Sequence, residues 1–370
     1  MPWSPVTVIE QRQEFVALAR QPGANISQLC RRFQISRKTA YKWLARQDMS
    51  DLSRRPHTSP RRTDAAWQDA VLAVRDAHPA WGGRKIAHVL RREQHISLAP
   101  STIHSILQRH GRISEQASAA ATRWQRFEHQ RPNALWQMDF KGHFALHSGR
   151  CHPLTVLDDH SRFAIVLHAL PNEQRSSVQA VLQGAFQRFG LPDRINADNG
   201  PPWGNKGQGG LTRLAAWLIR LGVSIGYSRP AHPQTNGKDE RFHRTLKAEV
   251  LSRQSFADIG HAQRRFDAWR HVYNHQRPHQ ALDMHTPASR YCASVRSMPA
   301  QLPPIEYLPG DWVRKVQQGG WIHFKGRELR ISKALLGQPV ALRPVHDCDG
   351  QFEVFFCHQK IQNLCLIEQH

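Results

Sequence analysis

No run in the 370-residue chain approaches the length of about 18 consecutive apolar residues that a membrane-spanning helix needs. The N-terminus, Met1-Pro2-Trp3-Ser4, lacks a basic-then-apolar leader, so the expected location is the cytosol. Six cysteines (Cys30, Cys151, Cys292, Cys348, Cys357, Cys365) are scattered without a C-x-x-C pair. That spacing argues against a zinc knuckle and against a disulfide framework, and predicts reduced, mostly buried thiols. Acidic residues are scarce: 29 Asp and Glu stand against 51 Lys and Arg, a formal charge of +22. Such an excess makes a polyanion the default partner, because neutralised phosphates release counterions and give affinity without sequence reading. An anionic membrane surface is a poorer candidate, since no amphipathic helix with a broad apolar face accompanies the charge. With 11 Trp and 15 Phe the chain is not disordered, and its length predicts two to four domains.

The first 45 residues read as helical, within a DNA-binding unit expected over residues 1–49. Ile26 to Phe33, the break Gln34-Ile35-Ser36, and Arg37 to Arg46 suit a helix-turn-helix, with Ser36 as N-cap and Arg37, Lys38, Tyr41 and Lys42 turned toward a DNA groove. A small helical bundle with a solvated basic face is the plainer alternative. Residues 50–63 (SDLSRRPHTSPRRT) form a basic linker. Residues 64–114 repeat the two-helix pattern: Ala65 to Asp76, Arg84 to Arg92, then Ser101 to His110, with Ser101 as the expected N-cap. Ser101, Thr102 and His104 are the candidate DNA contacts of this second unit.

From about residue 134 the apolar period changes from 3.6 to 2. Three antiparallel strands are expected at Leu135 to Phe144, Pro153 to Leu157 and Phe163 to Ala169. A helix over Ser176 to Phe189, a strand over Arg194 to Ala197, a helix over Thr212 to Leu221, a strand over Ser224 to Ser228 and a long helix from about Lys238 follow. This order describes an α/β layer fold with a mixed sheet. Residues 305–370 show five short strand-like stretches, Trp312 to Val316, Trp321 to Phe324, Glu328 to Ile331, Pro339 to Leu342 and Phe352 to Cys357, which read as a small β-barrel. Arg314, Lys315, Lys325 and Arg327 favour DNA as its ligand, with contact to a second protomer or a scaffolding role as alternatives.

Three acids stand out by position. Asp139 ends an apolar strand start (WQMDF), Asp198 ends a short strand (INADNG), and Glu240 sits in the first turn of the last long helix. Each alone has a bland reading, as a turn residue or a macrodipole offset. Together they offer the oxygen ligands that hard divalent cations want and that phosphoryl transfer by a metal pair requires. Asp158 and Asp159 lie at a strand turn and are expected to shape it. Asp239, about 100° around the helix from Glu240, is expected to face away. Glu240, His243, Arg244 and Lys247 fall at i, i+3, i+4 and i+7, a phosphate-facing stripe unless it is an ordinary solvated ion-pair face.

The stretches WQMD (136–139), DNG (198–200), SRPAHPQTNGKDERFHRTL (228–246) and YNHQRPHQALDMHTP (273–287) resemble the signatures of bacterial insertion-sequence transposases with a retroviral-integrase-type core, in the DDE polynucleotidyl transferase superfamily. The resemblance covers residues 125–292; the helical units and the C-terminal barrel fit the layout more loosely. It implies a ribonuclease-H-like core, a metal-binding catalytic set of Asp139, Asp198 and Glu240, and two Mg²⁺ or Mn²⁺ ions. It also implies cutting of donor DNA at element ends, joining of the freed 3′-hydroxyls to target DNA, and at least a dimer to pair two ends. The second gap, 240 − 198 = 42 positions, is longer than the family pattern, with the excess in the Gly-rich PPWGNKGQGG at 201–210. No counterpart of the retroviral zinc unit is present. A catalytically inactive DNA-binding regulator and a metal-dependent nuclease without strand transfer are the rival readings.

Overall fold

The computed structural model describes residues 7–53, 63–113, 128–204, 211–227, 237–346 and 348–366. The chain divides into two compact units, Met1–Thr63 and Asp64–His370. In the first, α1 (Val8–Ala19), α2 (Ile26–Arg32) and α3 (Arg37–Leu44) enclose Phe15, Val16, Cys30, Ala40 and Trp43. Helix α3 starts where expected, because the Ser36 hydroxyl accepts from the Thr39 N–H at 3.1 Å. Its buried residues Ala40 and Trp43 turn Arg37, Lys38, Tyr41 and Lys42 to the exposed side. Most of the basic linker lies outside the described residues.

The second unit begins with α4 (Ala65–Ala77), α5 (Gly83–Gln94) and α6 (Pro100–Arg109), packed around Val71, Trp81, Ile86, Leu90 and Ile103. Ser101 is not the N-cap of α6. Pro100 takes the first helical position, where its missing N–H costs nothing, so Ala99 is the cap and no side chain fills that role. Ser101 and His104 are exposed and Thr102 half-buried, while Ile103, Ile106 and Leu107 face the core.

The central sheet is built from β1 (Trp136–Phe140), β2 (Phe144–Ala145), β3 (Arg150–Asp158), β4 (Ala164–Leu170), β5 (Arg194–Ala197) and β6 (Ser224–Tyr227). The single strand expected over 135–144 is two, broken at Gly142 with φ +82°, a conformation glycine reaches without strain. β3 is long enough to pair antiparallel with β1 and β2 along one edge and with β4 along the other, while β5 runs parallel to β1 and β6 parallel to β5. Helices cover both faces. On one, α7 (Arg175–Phe189) and α8 (Arg213–Arg220) pack Leu182, Phe186, Leu214 and Leu218 against Trp136, Met138, Leu154 and Val156. On the other, α9 (Gly237–Leu246) and α10 (Ile259–His275) pack Phe242, Leu246, Phe266 and Trp269 against Leu157, Ala164 and Leu167. The long helix expected from Lys238 is therefore two: α9 runs on into a π-helical turn at Lys247–Leu251, and the non-helical residues 252–258 separate it from α10. The buried Asn274 amide accepts from the Ala164 N–H at 2.8 Å and donates to the Ala164 carbonyl at 3.1 Å, satisfying a backbone position that β4 leaves open.

The C-terminal region is antiparallel, but its hydrogen-bonded ladders do not close into a barrel among the described residues. β7 (Trp312–Lys315), β10 (Pro339–Pro344), β11 (Gln351–Phe356) and β12 (Gln359–Cys365) form an open sheet, and β8 (Trp321–Phe324) pairs only with β9 (Arg327–Arg330). Strand β12 escaped the sequence pattern because its polar residues hide the alternation. On the inner face of this sheet Val340, Leu342, Val354 and Phe356 share one buried cluster with the central core and with Ile322 and Phe324 of β8, the Phe324 and Phe352 ring centroids lying 5.0 Å apart. Gln359 donates to and accepts from the Ile225 backbone at 3.0 and 2.8 Å, covering the edge strand β6. Of the six thiols only Cys30 and Cys151 are buried; Cys292, Cys348 and Cys365 are exposed, contrary to the expectation from composition. Among the described residues no helix is long and apolar enough to cross a membrane.

Candidate active site

Strand alternation decides where Asp139 points. Trp136 and Met138 enter the core on the α7 and α8 face, so Gln137 and Asp139 face α9. Parallel pairing sets Trp136 beside Ile195 and Gln137 beside Asn196; continued two places, the same register sets Asp139 beside Asp198. The Asp198 carboxylate is held in a tight turn, accepting from the Gly200 N–H at 3.1 Å. Burial, and then the charge of Asp198, push the Asp139 carboxyl up to about 6. The Glu173 charge adds to this push, and a Glu173 carboxylate oxygen lies 2.8 Å from His152 Nδ1. The pair His152 and Glu173, beside the strand ends, carried no sequence signal.

Helix α9 crosses this end of the sheet with Asp239, Phe242, His243 and Leu246 inward and Glu240, Arg241, Arg244 and Lys247 outward, the last opening the π turn. Two expectations change. His243 is not part of an exposed phosphate-facing stripe: it is 8% exposed, and its Nε2 lies 2.8 Å from Thr155 Oγ1. Thr155 spends its one hydroxyl proton on the Asp139 carbonyl at 2.9 Å, so the imidazole donates from Nε2 and keeps its lone pair on Nδ1, 3.9 Å from Asp139 Oδ2. Burial lowers His243 to about 3, with the Lys141 charge acting in the same direction, so at neutral pH no ion pair with Asp139 exists. Asp239 does not face away; it is 2% exposed, and the charges of Asp139 and Asp159 join burial in holding its carboxyl well above the usual range. The signal was legible: Phe242 and Leu246, at i+3 and i+7 from Asp239, mark the inward face.

The start of α9 is pinned. Lys238 Nζ pairs with Asp159 Oδ1 and donates to the Asp159 carbonyl at 3.1 Å, while Gln137 Nε2 and the His129 N–H donate to the same carboxylate at 2.7 and 2.9 Å. Asp158 acts as expected, shaping its turn by accepting from the Asn133 and Ser161 N–H groups and the Ser161 hydroxyl.

Asp139 and Asp198 are thus brought together, whereas Glu240 is exposed on the outward side of the first helical turn. Among the described residues no three His, Cys, Asp or Glu side chains converge closely enough to hold a metal ion. The donors still fit a hard divalent cation. One carboxyl is raised by a neighbouring carboxylate, and Mg²⁺ is commonly held by one or two carboxylates plus substrate phosphates.

Asp139 and His243 make opposite contributions to stability as pH changes. The raised Asp139 carboxyl stabilises the fold at low pH, and this is lost as pH rises from its unfolded value of 3.8 through about 6. The depressed His243 stabilises the fold above its unfolded value of 6.5, and this is lost as pH falls toward about 3. In metal-free protein the two partly cancel between about pH 4 and 6. Asp139→Asn should make stability rise more steeply with pH across that window, and His243→Asn should reverse the trend. Urea midpoints at pH 4, 5 and 6 measure this; parallel profiles for all three proteins would refute it.

Residues 129–233 and 221–287 each match a family described as "Integrase core domain". Residues 311–370 match "IS481 family transposase, C-terminal domain", and residues 7–51 and 39–107 match homeodomain-like domains. The chain thus carries an integrase core domain, followed by a stretch that matches the C-terminal domain of an insertion-sequence transposase family. An uncharacterized 31.7 kDa protein of insertion element IS407 from Burkholderia multivorans is 29% identical over 166 residues, 45% of this chain and 57% of that protein. An uncharacterized 39.2 kDa protein of IS476 from Xanthomonas euvesicatoria is 27% identical over 169 residues, 46% of this chain and 47% of that protein. The Gag-Pol polyprotein of baboon endogenous virus is 29% identical over 198 residues, 50% of this chain and 11% of the polyprotein. The match spans about half the length of the two insertion-element proteins. Among solved structures, the HTLV-2 integrase catalytic core domain in complex with magnesium is similar at 16% identity and TM-score 0.34, over 44% of this chain and 97% of that one. The simian T-cell lymphotropic virus intasome is similar at 14% identity and TM-score 0.40, over 80% of this chain and 96% of that one.

Proposed function

We propose that this protein is a transposase that cuts donor DNA at insertion-element ends and joins the freed 3′-hydroxyls to target DNA by in-line transesterification. The observation that carries this reading is the placement of Asp139 and Asp198 at adjacent strand ends within the integrase core, one carboxyl raised by the other's charge. Asp139, Asp198 and Glu240 would together hold two Mg²⁺ or Mn²⁺ ions. Glu240 stands one residue beyond the inward Asp239 and is exposed to solvent. Bound there, the ions supply activation of the attacking oxygen and charge stabilisation of the leaving oxygen.

The chain's own groups supply position. Thr155 and His243 brace the Asp139 backbone, and Lys238 fixes the start of α9. In the cleavage step a water oxygen attacks the scissile phosphorus and the bond to the 3′-oxygen breaks, leaving a 3′-hydroxyl. In the joining step that hydroxyl attacks a target phosphodiester, so one P–O bond forms as another breaks and no covalent enzyme intermediate is needed. The exposed Arg37, Lys38, Tyr41 and Lys42 on α3, and Ser101, Thr102 and His104 at the start of α6, are the DNA-reading surfaces in this scheme. Two ends must be paired, so the working form is at least a dimer, acting on DNA in the cytoplasm.

Purified protein incubated with labelled element ends, target DNA and Mg²⁺ tests the reading. Nicked and joined products are expected; nicks without joining would make it a nuclease, and binding without nicks a regulator. Arg244 and Lys247, both exposed on the outward face of α9, should hold phosphates. Changing either to Ala should weaken binding at all sequences and reduce the slope of log affinity against log salt by about 0.9. An unchanged slope would remove that residue from the DNA interface.

A further inference from the structure

Residues 273–287 carry Arg277 and His279, which have no role in the scheme above. Val272 of α10 packs against the cluster formed by α4, α5 and α6, so this end of the core makes a seam with the second helical unit. On the helical side of the seam Lys85 of α5 is half-buried and makes no hydrogen bond or ion pair among the described residues. A lysine that only covered apolar surface would lift its ammonium into water. Of the charges that act on it most, Arg277 and Arg241 are cations and Glu249 is the single acid. That acid is already committed, accepting from Arg277 Nε at 3.1 Å and from Trp269 Nε1 at 2.8 Å. Burial and the Arg277 charge therefore push the Lys85 ammonium down to about 7, a cost that a bound anion removes. His279, 9% exposed, stands on the core side within the field of Lys85 and Arg277. Its ring donates to the Tyr273 carbonyl and burial holds it neutral, so its Nε2 keeps a lone pair, and that atom has no partner among the described residues. A donor without an acceptor and an acceptor without a donor thus face one seam, where positive charge exceeds negative.

Resting on the reading that this protein acts on DNA, we propose that Lys85 of α5 and the exposed Arg241 of α9 together hold one backbone phosphate of bound DNA at this seam. The phosphate supplies the acceptor that Lys85 lacks and the negative charge that Arg241 and Arg277 leave uncompensated. Arg241 directly follows Glu240. One phosphate held here therefore ties the DNA strand both to the second helical unit and to the helix that carries Glu240.

Binding of the full chain, without divalent metal, to a labelled duplex carrying an element end tests this, with single neutral methylphosphonate linkages placed in turn along the duplex. One linkage should weaken binding by the parent about tenfold and have no further effect on Lys85→Met or on Arg241→Met. Lys85→Met should also lower the slope of log affinity against log salt by about 0.9, whereas Lys85→Arg, which keeps the charge, should hold the parental slope. Without DNA, Lys85→Met should melt no lower than the parent, so that its weaker binding reports the lost charge and not the fold. A parent with a steep salt slope whose sensitive linkages are all unchanged in Lys85→Met would overturn the seam site and leave DNA binding standing. A parent with no salt-dependent binding to the duplex would overturn the DNA reading itself. Inorganic phosphate that raises the melting temperature of the parent but not of Lys85→Met, with no linkage silenced by the substitution, would make this a site for the free ion and overturn its assignment to DNA.

Discussion

Asp139→Asn is expected to lower Mg²⁺-dependent strand cleavage by about a thousandfold or more while leaving binding to element ends largely intact. The substitution keeps the side-chain shape and the strand, removing only the anionic oxygens that attract a cation. Electrostatic stabilisation of a reacting phosphodiester by metal is worth several kcal/mol, and each 1.36 kcal/mol is about a factor of ten in rate. Asp198→Asn and Glu240→Gln should fall similarly, because a ligand set that acts as a unit loses most of its effect with any member. The Glu240 variant is the most informative. Asp139 and Asp198 already influence each other in the metal-free protein, whereas Glu240 is exposed and must be drawn in. Near-parental cleavage by Glu240→Gln would remove it from the ligand set. End binding retained by all three would place recognition in the helical units and chemistry in the core.

Lys238→Met is expected to destabilise the second unit by about 3 kcal/mol, the lower end for breaking a buried ion pair, because two other donors remain on the stranded partner. Asp159 is 1% exposed and would keep only the bonds from Gln137 and His129. The methionine fills the space of the lysine stem, so the loss reports the charge rather than a cavity. Asp159→Asn combined with Lys238→Met should recover most of the stability, since no buried carboxylate is then left unpaired. Urea unfolding of the four proteins gives the coupling directly. A single variant that loses less than about 1 kcal/mol would show that the pair does not hold the start of α9. Cleavage should fall with stability in the single variant and stay impaired in the double one, because Lys238 also fixes where the helix begins relative to Asp139.

Much was legible in residue order. The switch from a 3.6-residue to a 2-residue apolar period located the boundary between the helical units and the sheet. Gly190-Leu191-Pro192 marked the end of α7 at Phe189, and Asp139 and Asp198 stood out as acids at the ends of apolar strands. These features are local, set by side-chain alternation, caps and turns within a few residues of one another.

What escaped was long-range. Strand pairing alone places Asp198 beside Asp139, 59 positions earlier in the chain (198 − 139), because β5 lies parallel to β1 with Ile195 opposite Trp136. Phe242 and Leu246 mark the buried side of α9 in the sequence, but that this side packs on Leu157 and Leu167, with Asp239 and His243 carried inward, was set by tertiary contacts. The C-terminal strands likewise share one buried cluster with the central domain, a junction that no local pattern marks. Local chemistry chose the side chains, and burial of apolar surface between distant segments chose which of them meet.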